Sequence, residues 1–195
     1  MGCISSSPFL AHGPRTDDLD KTVCDKWVPI VAGPMYDGAG NRIFSDAYKK
    51  ARAEADEHAQ KMKQCFSQAH SEYEDNHKGE AKHLSDDGKK HQHDMEAANA
   101  RAVLELIKAQ NLDVNDTIDL HGLYVKEAVA ETKRFVENSA KLKKYSRVMV
   151  ITGQGHHSKT PEHSVVKDAI LQLAKESKWS IVQEANNPGK FIVSI

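Results

Sequence analysis

From residue 46 the apolar positions fall into a narrow stripe. Tyr48, Ala51, Ala55, Ala59, Met62, Phe66, Ala69 and Tyr73 are separated by three or four residues, which places them on one face of an α-helix. The stripe stops at "EDNHKGEAK", where Asn76 and Gly79 supply a break. It resumes as Ala81, Leu84, Gly88, His91, Met95, Ala98 and Ala102. The pattern predicts two helices of about 30 residues, each roughly 45 Å long, folded back as an antiparallel hairpin. Alanine dominates the seam. The backbones can therefore approach closely, but little apolar surface is buried per turn, so the hairpin is expected to lean on the following domain or on a partner.

Beyond residue 110 the periodicity shortens and alternates. "TIDLHGL" (117–123), "SRVMVIT" (146–152), "WSIVQEAN" (179–186) and "KFIVSI" (190–195) read as strands. "VKEAVAETKRFVENSA" (125–140) and "EHSVVKDAILQLAKESK" (162–178) read as amphipathic helices. "NNPG" marks a hairpin turn between the last two strands. The order β-α-β-α-β-β predicts a small two-layer α/β sandwich, with a parallel first pair of strands and an antiparallel terminal hairpin at the edge. The fold class is thus α/β. The expected organisation is a flexible tail and linker at 1–44, a helical hairpin at 45–110 and the sandwich at 111–195. The linker carries Pro8, Pro14, Pro29 and Pro34, and its one apolar patch is "DKWVPIVAGPMY".

Composition narrows the class without deciding it. Hydrophobic residues make up 39% and charged residues 28% of the 195, with a net charge of −1. That excludes a wholly disordered chain and gives no global attraction to nucleic acid. A local basic patch, "KLKKYSR" with Lys141, Lys143, Lys144 and Arg147, fits either a solvated helix end or a grip on phosphates. Cys3, Cys24 and Cys65 are scattered, so neither a disulfide framework nor a zinc motif is expected, and a reducing, cytoplasmic setting fits. No apolar run is long enough to span a bilayer. "MGCISS" fits N-myristoylation at Gly2, with Cys3 beside it for a palmitoyl chain. One myristoyl chain binds membranes marginally and two acyl chains hold, so the expectation is a cytoplasmic protein, held peripherally on membranes if both residues are acylated; a coincidental match in the tail is the alternative. Six of the eleven histidines (His58, His70, His77, His83, His91 and His93) fall in the hairpin. His91 and His93 are two apart and point to different helix faces, so the expectation is surface histidines rather than a metal site.

The chemistry gathers at two strand ends. In "DLHG", Asp119 and His121 are two apart and share one side of a strand, while Gly122 allows a sharp turn after them. In "VITGQGHHS", the second strand runs into Thr152, Gly153, Gln154, Gly155, His157 and Ser158. Glycines there permit backbone N–H groups to converge on an anion, and a following helix N-terminus, expected near Glu162, adds its dipole. Either motif alone suits a purely structural role. Two parallel strands bring both to one sheet edge, where ligands of open α/β sheets bind. The pairing predicts a phosphodiester site with a proton-transfer group beside it.

At these residues the chain resembles the Smr (small MutS-related) domain. "IDLHGL" and "ITGQGHHS" are similar to its two signature motifs, and "NNPGKFIVSI" looks like its closing hairpin, over residues 115–195. Residues 48–110 resemble a helical domain of unknown function that precedes Smr in eukaryotic proteins. The resemblance implies nucleic-acid binding, and in some members endonuclease cleavage of RNA or nicking of DNA. It implies Asp119 and His121 as the cleavage centre and the "TGQG" segment as the holder of the backbone. One departure matters: members credited with cleavage often carry Arg where Gln154 stands. Gln can hydrogen-bond a phosphate but adds no charge, which bears on catalysis more than on binding. RNA is expected ahead of DNA. Mg²⁺ enters if Asp119 is a metal ligand, and not if Asp119 only orients His121. The alternatives are a non-catalytic RNA-binding module and a membrane-tethered adaptor whose hairpin holds a protein partner.

Overall fold

The computed structural model describes residues 42–112, 115–143, 145–153 and 164–195, which fall within one compact unit. Gly2, Cys3 and the linker patch lie outside these residues, as do Lys144 and positions 154–163. Helix α1 spans Asp46–Glu74 and begins at Ser45, whose hydroxyl accepts the Tyr48 N–H at 3.1 Å. A turn through Asn76, with φ of 66°, leads into helix α2, Lys78–Gln110. The break thus sits where the stripe stopped. Ala51, Ala55 and Ala69 of α1 are buried, as are Ala81, Gly88, Ala98 and Ala102 of α2. A β-carbon on Gly88 would lie 2.8 Å from the Phe66 ring, so the glycine is what lets an aromatic ring cross this alanine seam. Asn111, in the left-handed conformation at φ 49°, ends α2.

The second part follows the predicted order. Strand β1 is Thr117–Asp119, helix α3 Val125–Leu142, strand β2 Arg147–Ile151, helix α4 Val165–Ser177, strand β3 Ser180–Glu184 and strand β4 Asn187–Ser194. β1 and β2 are parallel, pairing Asp119 with Ile151. The sheet order is β1-β2-β4-β3, so the terminal hairpin forms one side of the sheet, as expected. β4 lies inside, between β2 and β3, and β3 alone of the two is an edge. Burial explains the choice. β4 alternates Gly189, Phe191 and Val193 inward, whereas Val182 on β3 is exposed. The hairpin turn also falls earlier than "NNPG" suggests. Glu184 pairs with Asn187, leaving Ala185 and Asn186 as the two-residue loop, and a register shift at Gln183/Glu184 absorbs the change. Pro188 is accommodated because β4 runs past the end of β2, whose last pair is Ile151 with Lys190.

Ile118, Val148, Val150, Phe191 and Val193 form one core with Phe135 and Val136 of α3 and Ile170 and Leu173 of α4. Leu106 and Ile107 of α2 join the same core. The end of the hairpin is therefore part of the sandwich's interior, which supplies the apolar burial that the alanine seam lacks. α4 starts at Val165, where Ser164 accepts the Lys167 N–H at 3.3 Å, a turn later than the sequence pattern suggested.

Candidate functional site

Asp119 ends β1 and is 2% exposed. A buried carboxylate is costly unless its oxygens are occupied, and here both are. Oδ1 accepts the His121 backbone N–H at 2.9 Å and lies 2.6 Å from His121 Nδ1. Oδ2 pairs with the Arg42 guanidinium, itself buried. With a carboxylate against Nδ1, the ring nitrogen that donates is Nδ1, and Nε2 is the one turned towards a ligand. The His121 side chain is 39% exposed, so Nε2 can meet a ligand.

The backbone of Asp119 is held as firmly as its side chain. Gln110, the last residue of α2, donates from Nε2 to the Asp119 carbonyl at 2.7 Å and accepts the Asp119 N–H on Oε1 at 2.7 Å. One amide side chain thus imitates a neighbouring strand on the open side of β1. The Asn115 side chain in turn donates to the Gln110 carbonyl at 2.7 Å.

Beyond His121 the chain turns at Gly122, with φ of 86°. A β-carbon there would lie 2.5 Å from the Phe44 ring. The Gly122 carbonyl accepts from the Tyr48 hydroxyl at 2.6 Å and from Arg52 Nη2 at 3.1 Å. Arg52 also grips Glu127 of α3 through two nearly parallel bonds of 2.9 and 2.6 Å, and Asn99 of α2 at 2.5 Å. Burial opposes the Arg52 charge, but the bonds to Glu127 and Tyr48 outweigh it and hold the guanidinium above its ordinary range. Glu127 closes the network by accepting the Tyr124 N–H at 2.8 Å at the start of α3.

The second strand end meets the first. Gly153 follows β2 with φ of 73°. A β-carbon on it would sit 2.6 Å from His121 Nε2, so the imidazole lies directly against this glycine. Gly189 backs the arrangement: a β-carbon there would be 2.7 Å from the Gly153 carbonyl carbon. Both glycines mark places where groups approach too closely for any side chain. Thr152 is buried, with its N–H on the Gly189 carbonyl at 2.8 Å and its hydroxyl 3.3 Å from the same oxygen. Its role here is to fix the strand end, not to face solvent.

The structure thus brings Asp119, His121 and Gly153 to one rim. Gln154, Gly155, His157 and Ser158 lie outside the described residues. Lys141, Lys143 and Arg147 are exposed at the opposite end of the sheet, where α3 finishes and β2 begins. At about 3.3 Å per residue, β2 alone separates Arg147 from Ile151 by roughly 13 Å. The basic patch and the rim are two places, not one. Sequence reasoning missed Arg42, Gln110, Arg52 and Glu127. Gln110 had a visible signal, a polar residue continuing the seam after Ala102 and Leu106. Arg42 had none.

A long helical hairpin docked on a small mixed α/β sheet, with an aspartate-oriented histidine at the rim of its parallel strands, defines an Smr-type protein. Residues 48–111 match a domain of unknown function, DUF1771, and residues 118–190 match the Smr domain. An Smr domain-containing protein of Schizosaccharomyces pombe is 31% identical over 142 residues, covering 72% of this chain and 68% of the relative. NEDD4-binding protein 2 of Homo sapiens is 34% identical over 113 residues, covering 55% of this chain and 6% of that much longer protein. No solved structure matches. The chain belongs to the Smr domain-containing family, which supports a nucleic-acid-binding, nuclease-like role in general terms.

Proposed function

We propose that this chain binds RNA at the rim where β1 and β2 end, and that His121 transfers a proton at a phosphodiester held there. The observation that carries the proposal is the Asp119–His121 pair at 2.6 Å with Nε2 against Gly153. Nε2 then acts as general base towards a ribose 2′-hydroxyl, or as general acid towards the leaving oxygen once protonated. The 2′-hydroxyl gives RNA an internal nucleophile, which favours it over DNA at a site built around one imidazole.

The donor set at Asp119 does not suit Mg²⁺. That ion requires octahedral oxygen ligands and keeps several waters. Asp119 is buried, and its two oxygens face Arg42 and His121. Its role in this proposal is to orient the imidazole, and no step runs through a metal there.

Binding is tested by anisotropy of labelled single-stranded RNA and of DNA of the same sequence across a salt series. If Lys141, Lys143 and Arg147 each neutralise one phosphate, affinity for RNA falls about 20-fold between 50 and 200 mM salt. Changing all three to Ala flattens that slope without removing the rim contacts. A chain that binds no RNA at 50 mM salt removes the proposal.

A second proposal, membrane tethering through Gly2 and Cys3 with a protein partner on the hairpin, rests on "MGCISS" and on the name of the human relative. Expressed in a eukaryotic cell, the chain is expected to move from the membrane fraction to the soluble one on Gly2→Ala. Equal fractionation of the two forms would eliminate the tether.

A further inference from the structure

The hairpin seam carries a cluster that the rim does not use. His58 on α1 faces His91 on α2, with their Nδ1 atoms 3.0 Å apart. Asp94, one turn beyond His91 on the same face, brings Oδ2 to 3.9 Å from His58 Nδ1. One donor atom from each residue lies within 4.8 Å of the other two, and all three side chains are half-buried. The remaining hairpin histidines differ. His70, His77, His83 and His93 are exposed at the surface.

We propose that His58, His91 and Asp94 form a binding site for a zinc-type divalent transition metal that staples α1 to α2. Imidazole nitrogen with a carboxylate oxygen is the donor set such ions favour. Zn²⁺ at about 2.0–2.1 Å from each of four tetrahedral donors sets those donors about 3.3 Å apart. The observed 3.0 and 3.9 Å bracket that figure, so rotamer adjustments within each side chain suffice to seat the ion. Three protein ligands leave the fourth position to water. The donors come from both helices, and that distinguishes a staple from a chance pair on one surface.

The location gives the site a purpose. The rim end of the hairpin is tied by Arg52 to Asn99 and by Arg101 to Glu54 at 2.6 Å. The far half closes around Phe66 and Gly88. His58 and His91 lie between, along a stretch whose buried residues are mostly alanine. Burial there contributes little, and a metal–ligand bond set across the seam contributes where packing is thinnest. The inference does not depend on RNA binding, and its test uses none.

The full chain, stripped of metal, is titrated with Zn²⁺ by calorimetry and with Co²⁺ by visible absorption. One ion per chain is expected, with tetrahedral Co²⁺ bands and a rise in Tm of about 5–11 °C at 100-fold excess over Kd. His58→Gln and His91→Gln each weaken binding by about 100-fold and abolish the bands. His83→Gln, on the surface and paired with Asp87 rather than with any of the three ligands, leaves both intact. Helical circular dichroism of the metal-free variants, equal to that of the parent, shows that loss of binding is not loss of fold. Binding equal in parent and in His58→Gln/His91→Gln would assign the ion to other histidines and overturn the site. No binding below millimolar Zn²⁺ would overturn it too.

Discussion

His121→Ala is expected to slow RNA cleavage by about 100- to 10,000-fold while leaving RNA affinity within a few-fold of the parent. The reason is geometric. Asp119 turns the ring so that Nε2 lies against Gly153, and no other imidazole among the described residues reaches that rim. Gly153→Ala tests the same placement differently, since its new methyl would stand 2.6 Å from Nε2 and must push the ring aside. EDTA is expected to leave the rate unchanged. Asp119→Asn is a poorer probe of chemistry, because it also weakens the buried pairing with the Arg42 guanidinium and so lowers stability. Its activity therefore has to be read beside its Tm. Cleavage by His121→Ala at the parent's rate would end the catalytic proposal. RNA binding with no cleavage by the parent would instead leave a non-catalytic module, the outcome to which Gln154 already inclines.

The second large effect is on stability. Arg52→Met is expected to lower it by about 3 kcal/mol, since Glu127 is left charged and mostly buried. For a chain of this size that is a fall in Tm of roughly 6–12 °C. Glu127→Gln keeps an oxygen for the Tyr124 N–H but loses the charged pair, and the double variant Arg52→Met/Glu127→Gln should be less damaged than the two losses summed. A coupling of about 2 kcal/mol is expected in that cycle by chemical denaturation. Additivity within about 0.5 kcal/mol would mean that the pair does not join hairpin to sandwich energetically. The cycle also reports on the rim, because Arg52 holds the Gly122 carbonyl just after His121.

What the chain disclosed in advance was what short-range periodicity encodes. Three- and four-residue spacing marked α1 and α2, alternation marked the strands, and the two-residue spacing of Asp119 and His121 was visible, although β1 ends at Asp119 and His121 stands in the turn after it rather than on the strand. Contacts across long separations left weaker traces. Tyr48 appeared as one more apolar position on a stripe, yet its hydroxyl reaches 74 residues ahead to Gly122. Arg42 sat in a proline-rich stretch with no periodicity to read. The internal place of β4 was hidden because both strands of the hairpin are apolar enough to pair with β2, and only packing chooses between them. His91 did fall on the seam series, but a one-dimensional pattern cannot say which residue of the other helix it faces, and His58 was therefore missed.

The amide of Gln110 has a practical corollary. A fragment trimmed to begin after α2 would uncover the outer side of β1, and with it the Asp119 N–H and C=O that the side chain now satisfies. An open ribbon of that kind recruits whatever strand it meets, including its own copies. The helical segment is thus better regarded as the lid on a sticky seam than as a removable leader. Assays on the shortened piece would be measuring a self-associating variant rather than the protein.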